Sequence, residues 1–358
     1  MPSSNSTTLL RIARPTFVVD GQDQPALAEG LLRLVVSEDT QGLARCEAVF
    51  GNWGTLNRRT GYLYFGRDLL EFGKTFVVKS GTTAIFTGRI GALEAEFPEG
   101  APPQISVLAE DRLQDLRMTR RTRSFADQSD ADVIRQIASD HGLTPQVDVS
   151  GPTHKILSQV NQSDLAFLRD RCRTLEAEIW VEDTTLHAQS RAARNAEAVE
   201  LSFGRNLFAF KVLADLAHQR TTVTASGWDV SGKSAFTHDA DDSLIQQELD
   251  GGDGGADILA QAFGARKESL VHTLPLSADE TESVAGAYFK MTARRFVVGH
   301  GRAEGRGDLR AGRKVDLAGL GPLFSGKYYL ASVRHIFDAT AGYRVEFTAE
   351  RAALGRPT

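Results

Sequence analysis

The stretch FSGKYYLASVRHIFDATAGYRVEFTAER, residues 324–351, decides the fold because an imperfect earlier copy exists in the same chain: FTGRIGALEAEFPEGAPPQISVLAEDR, residues 86–112. In both, an aromatic, a small hydroxyl residue, a glycine and a cation open a strand-like run (Phe86, Thr87, Gly88, Arg89; Phe324, Ser325, Gly326, Lys327) that ends at Phe97 or Phe337. A turn-rich gap leads to a second alternating strand, Ile105, Ser106, Val107, Leu108 or Val345, Glu346, Phe347, Thr348. An acid and an arginine close each unit (Asp111, Arg112; Glu350, Arg351), and a glycine, a cation and another strand precede it (Gly73, Lys74; Gly312, Arg313). The offsets are steady: 312−73 is 239, 326−88 is 238, 337−97 is 240 and 351−112 is 239. A repeat of such long period is no solenoid unit; it predicts two similar β domains in one polypeptide with other material between them.

Working outward, 358 residues suffice for two or three domains with separate cores. The formal charge of −5 is too balanced for a protein driven onto nucleic acid by phosphate neutralisation. Two cysteines, Cys46 and Cys172, exclude a disulfide framework and a four-thiolate metal site, and read as core thiols. The N-terminus MPSSNSTTLLRIARPTF lacks the pattern of a secretory signal, and no run of about 18 apolar residues offers a membrane span. The expectation is synthesis in the cytoplasm.

Short β runs fill the first third: residues 7–12, 17–19 (broken at Asp20, Gly21), 31–36 and 45–50, then 76–79 and 83–86 joined across Ser80 and Gly81. Strands this short and closely spaced read as a barrel or sandwich. Between 111 and 190 the period changes. Val133, Ile134, Ile137 and Ala138 recur at helical spacing before a His141-Gly142 stop, and Leu165, Leu168, Cys172 and Leu175 stripe a second helix from about Ser163. A hairpin around Glu182, Asp183 and Thr184 completes an α+β module. Strand patterning returns at 208–230, the run DGGDGG at 250–255 reads as a flexible connector, and Ser277 to Glu280 has capping-box form before Val284, Ala287, Tyr288 and Met291. The predicted fold class is mainly β with α+β parts. Residues 1–112 form a first β-barrel, 113–190 the α+β module, 191–250 with 299–351 a second barrel carrying a helical insertion at 251–298, and 352–358 a tail.

The sharpest chemical motif is GWDVSGKS at 227–234, a formal P-loop match running from Gly227 to Ser234. A phosphate-binding loop should open a long helix, and the residues after Ser234 have no apolar stripe and three acids. Nucleotide binding through Lys233 is therefore the alternative reading. A second alternative is a polyanion-binding face at Arg112, Arg117, Arg120, Arg121 and Arg123, although aromatic residues for stacking are absent there apart from Phe125. The Gly/Asp run lacks calcium-loop spacing, the eight histidines form no HExxH pair, and Arg306-Gly307-Asp308 is a chance tripeptide. No catalytic, cofactor-binding or metal-ligating residue is named, and no enzymatic activity is expected.

The order of parts and the wording of NQSDLAFLRDRCRTLEAEIWVEDTTLHAQ (161–189), FTGRI (86–90), GWD (227–229) and the stretch at 324–351 resemble the phage late control protein D family, the hub of contractile tails and related injection systems. That family's Q-x-x-x-S-D-hydrophobic-x-F-L pattern corresponds here to residues 159–168, and GWD suits its second β domain, a structural alternative to the P-loop. The resemblance implies a homotrimeric structural hub whose two β domains per subunit alternate around a ring, joining a sixfold inner tube or its initiator to a threefold spike within a baseplate. It implies no cofactor and no specific nucleic acid. Because only seven residues follow Arg351, the spike is expected to be a separate chain. Assembly into a phage tail or injection-system particle is the expected destination.

Overall fold

The computed structural model describes residues 14–56, 58–194, 196–229, 232–271, 275 and 277–356. The strand expected at 7–12 lies outside them. The protein is mainly β, and its principal sheet has thirteen strands: two sets of six and a two-residue strand, Gln22–Asp23, at one edge. The first set is β1 (Thr16–Val19), β2 (Leu31–Asp39), β3 (Arg45–Gly51), β4 (Thr75–Ser80), β5 (Thr83–Glu96) and β6 (Gln104–Glu110). The second is β7 (Val199–Ser202), β8 (Leu207–Ala214), β9 (Val297–Glu304), β10 (Lys314–Ala318), β11 (Gly326–Asp338) and β12 (Gly342–Arg351).

Both sets adopt one order. The first runs β2-β3-β6-β5-β4-β1 and the second β8-β9-β12-β11-β10-β7. Irregularities recur too. The β5–β6 ladder slips between Ile90 and Ala92, and the β11–β12 ladder between Leu330 and Ser332, each 240 residues further on. The β2–β3 ladder slips between Leu31 and Arg33, and β8–β9 between Leu207 and Ala209. A bulge reverses the alternation of side chains, so two chains of strands sharing bulge positions share their buried faces as well. One difference is that β1 meets β4 antiparallel whereas β7 meets β10 parallel.

The ladders correct the register expected from sequence. Gly88 lies opposite Phe76 and Tyr328 opposite Val315, so Tyr328, not Gly326, occupies the place of Gly88. Likewise Glu110 and Glu350 are equivalent, opposite Arg89 and Tyr329. The reason is the connection: β4 and β5 join through a tight turn at Gly81 (φ +60°), whereas a short helix, Gly321–Phe324, precedes β11.

The module between β6 and β7 has its own core around Ile134, Ile137, Leu165, Leu168 and Ile179. Its two longer helices are α1 (Asp130–Asp140) and α2 (Asp164–Thr174), capped by Ser129 and Ser163; Ser129 and Asp132 close a capping box. Between β8 and β9 lies an insertion wider than the predicted 251–298. Thr222–Asp229 and Ser234–Asp241 pair with each other, and the first of them also with Lys267–Leu270, in a separate sheet against α4 (Ala278–Arg294). These strands were expected in the second barrel; Val223 and Ala225 instead bury against Ala285 and Phe289 of α4. The expected flexible connector at 250–255 is tied down, because Asp253–Gly254 pairs with Ala353–Leu354 just before α3 (Gly255–Phe263). The tail thereby clamps the insertion, with Ala353 fully buried.

Candidate functional site

Where the two six-strand sets meet, they continue into one another. The C-terminal half of β11 leaves β10 and pairs antiparallel with β2, Val333 opposite Glu38, His335 opposite Val36 and Phe337 opposite Leu34. Leu34, Val36, Val333, His335 and Phe337 are all 1% exposed or less. A single apolar cluster runs through the joint, from Phe17, Phe50 and Phe76 to Phe337, Val345 and Phe347. The seam is therefore a continuation of both cores through hydrogen-bonded strand edges.

An ion pair fixes one end of this seam. Arg310 forks onto Glu38, Nε to Oε1 at 2.8 Å and Nη2 to Oε2 at 2.7 Å, while the Ala311 amide donates to the same carboxylate at 2.8 Å. Two planar groups matched in this way specify orientation as well as attraction. Inside the seam, Nδ1 of His335 lies 2.8 Å from the Tyr343 hydroxyl. Burial, the main influence, lowers the imidazole pKa to about 4, with the Arg310 charge acting in the same direction and Glu38 opposing.

The module docks on this sheet through arginines. Arg169 donates to the carbonyls of Gln41 (2.7 Å) and Gly42 (2.8 Å). Arg194 reaches Glu178 at 2.7 Å and the Ala311 carbonyl at 3.0 Å while lying over the Trp180 ring. Arg294 of α4 is buried between Glu176 and Glu248, tying the insertion to the module.

The basic run is consumed internally. Arg112 pairs with Asp115, Arg117 with Glu110, and both Arg121 and Arg123 with the buried Asp164, which also accepts from Gln159 and meets His141 Nε2 at 2.8 Å. Arg120 donates to the Asn161 carbonyl. Burial alone would raise the Asp164 pKa, but the His141 and Gln159 hydrogen bonds and the two arginine charges hold it below the usual carboxylate value. Four of the five cations are thus already paired with acids, two of them with the buried Asp164, which leaves little free positive charge for a phosphate-binding face.

The P-loop match fails on geometry. Gly227, Trp228 and Asp229 end one strand, Ser234 begins the next, and Asp229 lies opposite Ser234 in a hairpin. Gly227 packs against Phe236 and the Pro275 carbonyl, leaving no room for a Cβ. A strand follows the motif where a helix N-terminus would be needed. Among the described residues no group of three or more His, Cys, Asp or Glu could hold a metal ion, and no helix is long and apolar enough to cross a membrane.

Nothing local in residues 31–39 or 332–338 marks them as partners: both are β-rich runs, and the pairing between them is set by burial across about 300 positions of chain.

This pairing of duplicated six-strand units, one module and one insertion defines a class of fold shared with viral and secretion-system tail proteins. The 43 kDa tail protein of prophage MuSo2 from Shewanella oneidensis superimposes with a TM-score of 0.70 at 14% identity, over 95% of this chain and 98% of that one. A tail protein from Neisseria meningitidis MC58 gives 0.67 at 13% identity, over 94% and 96%. The E. coli c3393 protein, a type VI secretion component described as similar to the T4 tail proteins gp27 and gp5, gives 0.57 at 11%, over 92% and 76%. No curated protein matches the chain in sequence. Residues 69–338 match the family model described as Alg8 N-terminal domain, and the chain belongs to that family.

Proposed function

We propose that this protein is the baseplate hub of a contractile phage tail or contractile injection system, akin to the late control protein D hubs that its sequence resembles. In this reading it is a homotrimer without catalytic activity. Three subunits with two similar β units each present six roughly equivalent positions to a sixfold inner tube or its initiator, and three to a separate spike chain. Other baseplate proteins surround it, and the trimer is built in the cytoplasm before joining the particle. The observation that carries the reading is the duplication: twelve strands in two sets with one order and common bulges, fused through a buried seam. A ring that must match threefold to sixfold symmetry needs such a doubled subunit. We take residues 14–112 and 191–221 with 295–351 as the two ring units, and the module and insertion as the parts that face the periphery.

The experiment is the solution mass by light scattering, alone, with a candidate spike protein and with a candidate inner-tube protein. A species of about three times 38.9 kDa is expected in at least one condition. A monomer that ignores both spike and tube would overturn the proposal.

A further inference from the structure

The internal seam joins β2 to the C-terminal half of β11. The equivalents of these two edges, β8 and the C-terminal half of β5, carry no ladder to one another and have no strand on that side among the described residues. We propose that they pair with each other between copies: β8 of one subunit adds antiparallel to residues 92–97 of the next, repeating between chains the seam seen within one. The inference rests on the hub reading above and names the surface through which its subunits associate.

Three observations carry it. First, the register transfers without adjustment. β8 follows β2 at an offset of 176 (Leu31 to Leu207, Arg33 to Ala209) and β11 follows β5 at 240 (Arg89 to Tyr329, Leu93 to Val333), with the bulges in place. Leu34 opposite Phe337 then becomes Phe210 opposite Phe97, and Val36 opposite His335 becomes Val212 opposite Ala95. Second, burial is missing where pairing is missing. Phe337 is 1% exposed but Phe97 63%, and Leu34 is buried while Phe210 is only half-buried. An apolar strand edge left open in this way is a template for another strand. Third, the side chains are complementary yet distinct from the internal seam. Val35 lies opposite Ile336 inside the chain, whereas the same register places Lys211 opposite Glu96, both exposed. Opposite charges directly across a ladder attract, and like charges repel. The Arg310–Glu38 fork has no counterpart, because Ala214 occupies the place of Glu38. The edge between copies is thus weaker than the internal one, and the two cannot be confused during assembly.

The test is cysteine pairing in the full chain. Cys46 and Cys172 are 2% exposed and stay unreactive, so Glu96→Cys with Lys211→Cys should give a covalent trimer on mild oxidation, and Glu94→Cys with Lys211→Cys, displaced along the ladder, should give a large loss of yield. As a second arm, Lys211→Glu alone should shift the mass towards monomer, and Glu96→Lys in the same chain should restore it. A trimer that does not cross-link, or cross-links equally in both registers, overturns the edge pairing while leaving the hub reading intact. Cross-linked open chains of other sizes support the pairing and overturn the trimer. A chain that remains monomeric with the spike and never cross-links overturns both.

Discussion

Gly73 and Gly312 make one and the same hydrogen bond in the two halves of the protein. The Gly73 amide donates to the Ile90 carbonyl at 2.8 Å and the Gly312 amide to the Leu330 carbonyl at 2.8 Å. Their φ angles, +80° and +81°, match as well. Each glycine turns the chain in the left-handed region so that the next strand enters antiparallel to β5 or β11, and the residue after it accepts in return: Ile90 to Lys74 at 3.0 Å, Leu330 to Arg313 at 2.9 Å.

The two glycines nevertheless differ in what a side chain would meet. A Cβ at Gly73 finds nothing within 4 Å, while one at Gly312 would lie 1.8 Å from the Arg194 guanidinium carbon. Gly73→Ala should cost about 1 kcal/mol from backbone strain alone. Gly312→Ala should cost clearly more, because Arg194 must leave Glu178 and the Ala311 carbonyl. Urea titrations of the two variants check the order.

At the seam, Arg310→Ala leaves the Glu38 carboxylate with the Ala311 amide in place of a forked guanidinium. A loss of roughly 2 kcal/mol is expected, since hydrogen bonds to charged groups are worth about 1.5–3 kcal/mol. Glu38→Gln with Arg310→Ala should cost less than the sum of the two single changes. A double-mutant cycle measures that coupling.

The seam should also weaken in mild acid. His335 has a folded pKa of about 4 against an ordinary 6.5, so as pH falls the unfolded chain takes up the proton first. Stability is intact above about pH 6.5 and is lost progressively as pH falls to about 4, by roughly 3 kcal/mol at most. Burial also pushes the Asp111 carboxyl up to about 6, which acts in the opposite direction over the same window, so the check is a difference: the stability gap between His335→Phe and the unaltered protein should change by this amount as pH falls from about 6.5 to 4, in unfolding curves at stepped pH.

The module responds at lower pH. Asp130 and Asp164 are buried carboxylates whose partners, His154 and Arg171 for the first and His141, Gln159 and two arginines for the second, outweigh burial and depress their pKa values. Their contribution is present above the unfolded value near 4 and disappears as pH falls through the lower folded values. Hydrogen exchange of α1 and α2 should accelerate below about pH 4, and Asp164→Ala should bring the same loosening at neutral pH by stranding Arg123 and Gln159.

Much of this architecture was written locally. The duplication was visible because paired glycines and strand alternation are properties of short segments, and the helix starts at Ser129 and Ser163 are each set by a serine hydroxyl accepting from the backbone amide three residues on. Lys233 shows how far local reading reached: the acids after Ser234 already told against a phosphate loop, while the hairpin in which Asp229 faces Ser234, with Phe236 and the Pro275 carbonyl against Gly227, belongs to the tertiary structure. The assignment of 222–241 to the insertion likewise depended on which apolar face found α4.

By itself, then, the sequence determined that two similar β units and an α+β module exist, since each follows from periodicity and turn chemistry within a few residues. Only the tertiary structure decided that Tyr328 stands where Gly88 does, and that β11 leaves β10 to pair with β2. Register and edge pairing are made by backbone amides and carbonyls that every residue carries alike. Which edge meets which is chosen by burial of residues such as Leu34 and Phe337, some 300 positions apart in the chain.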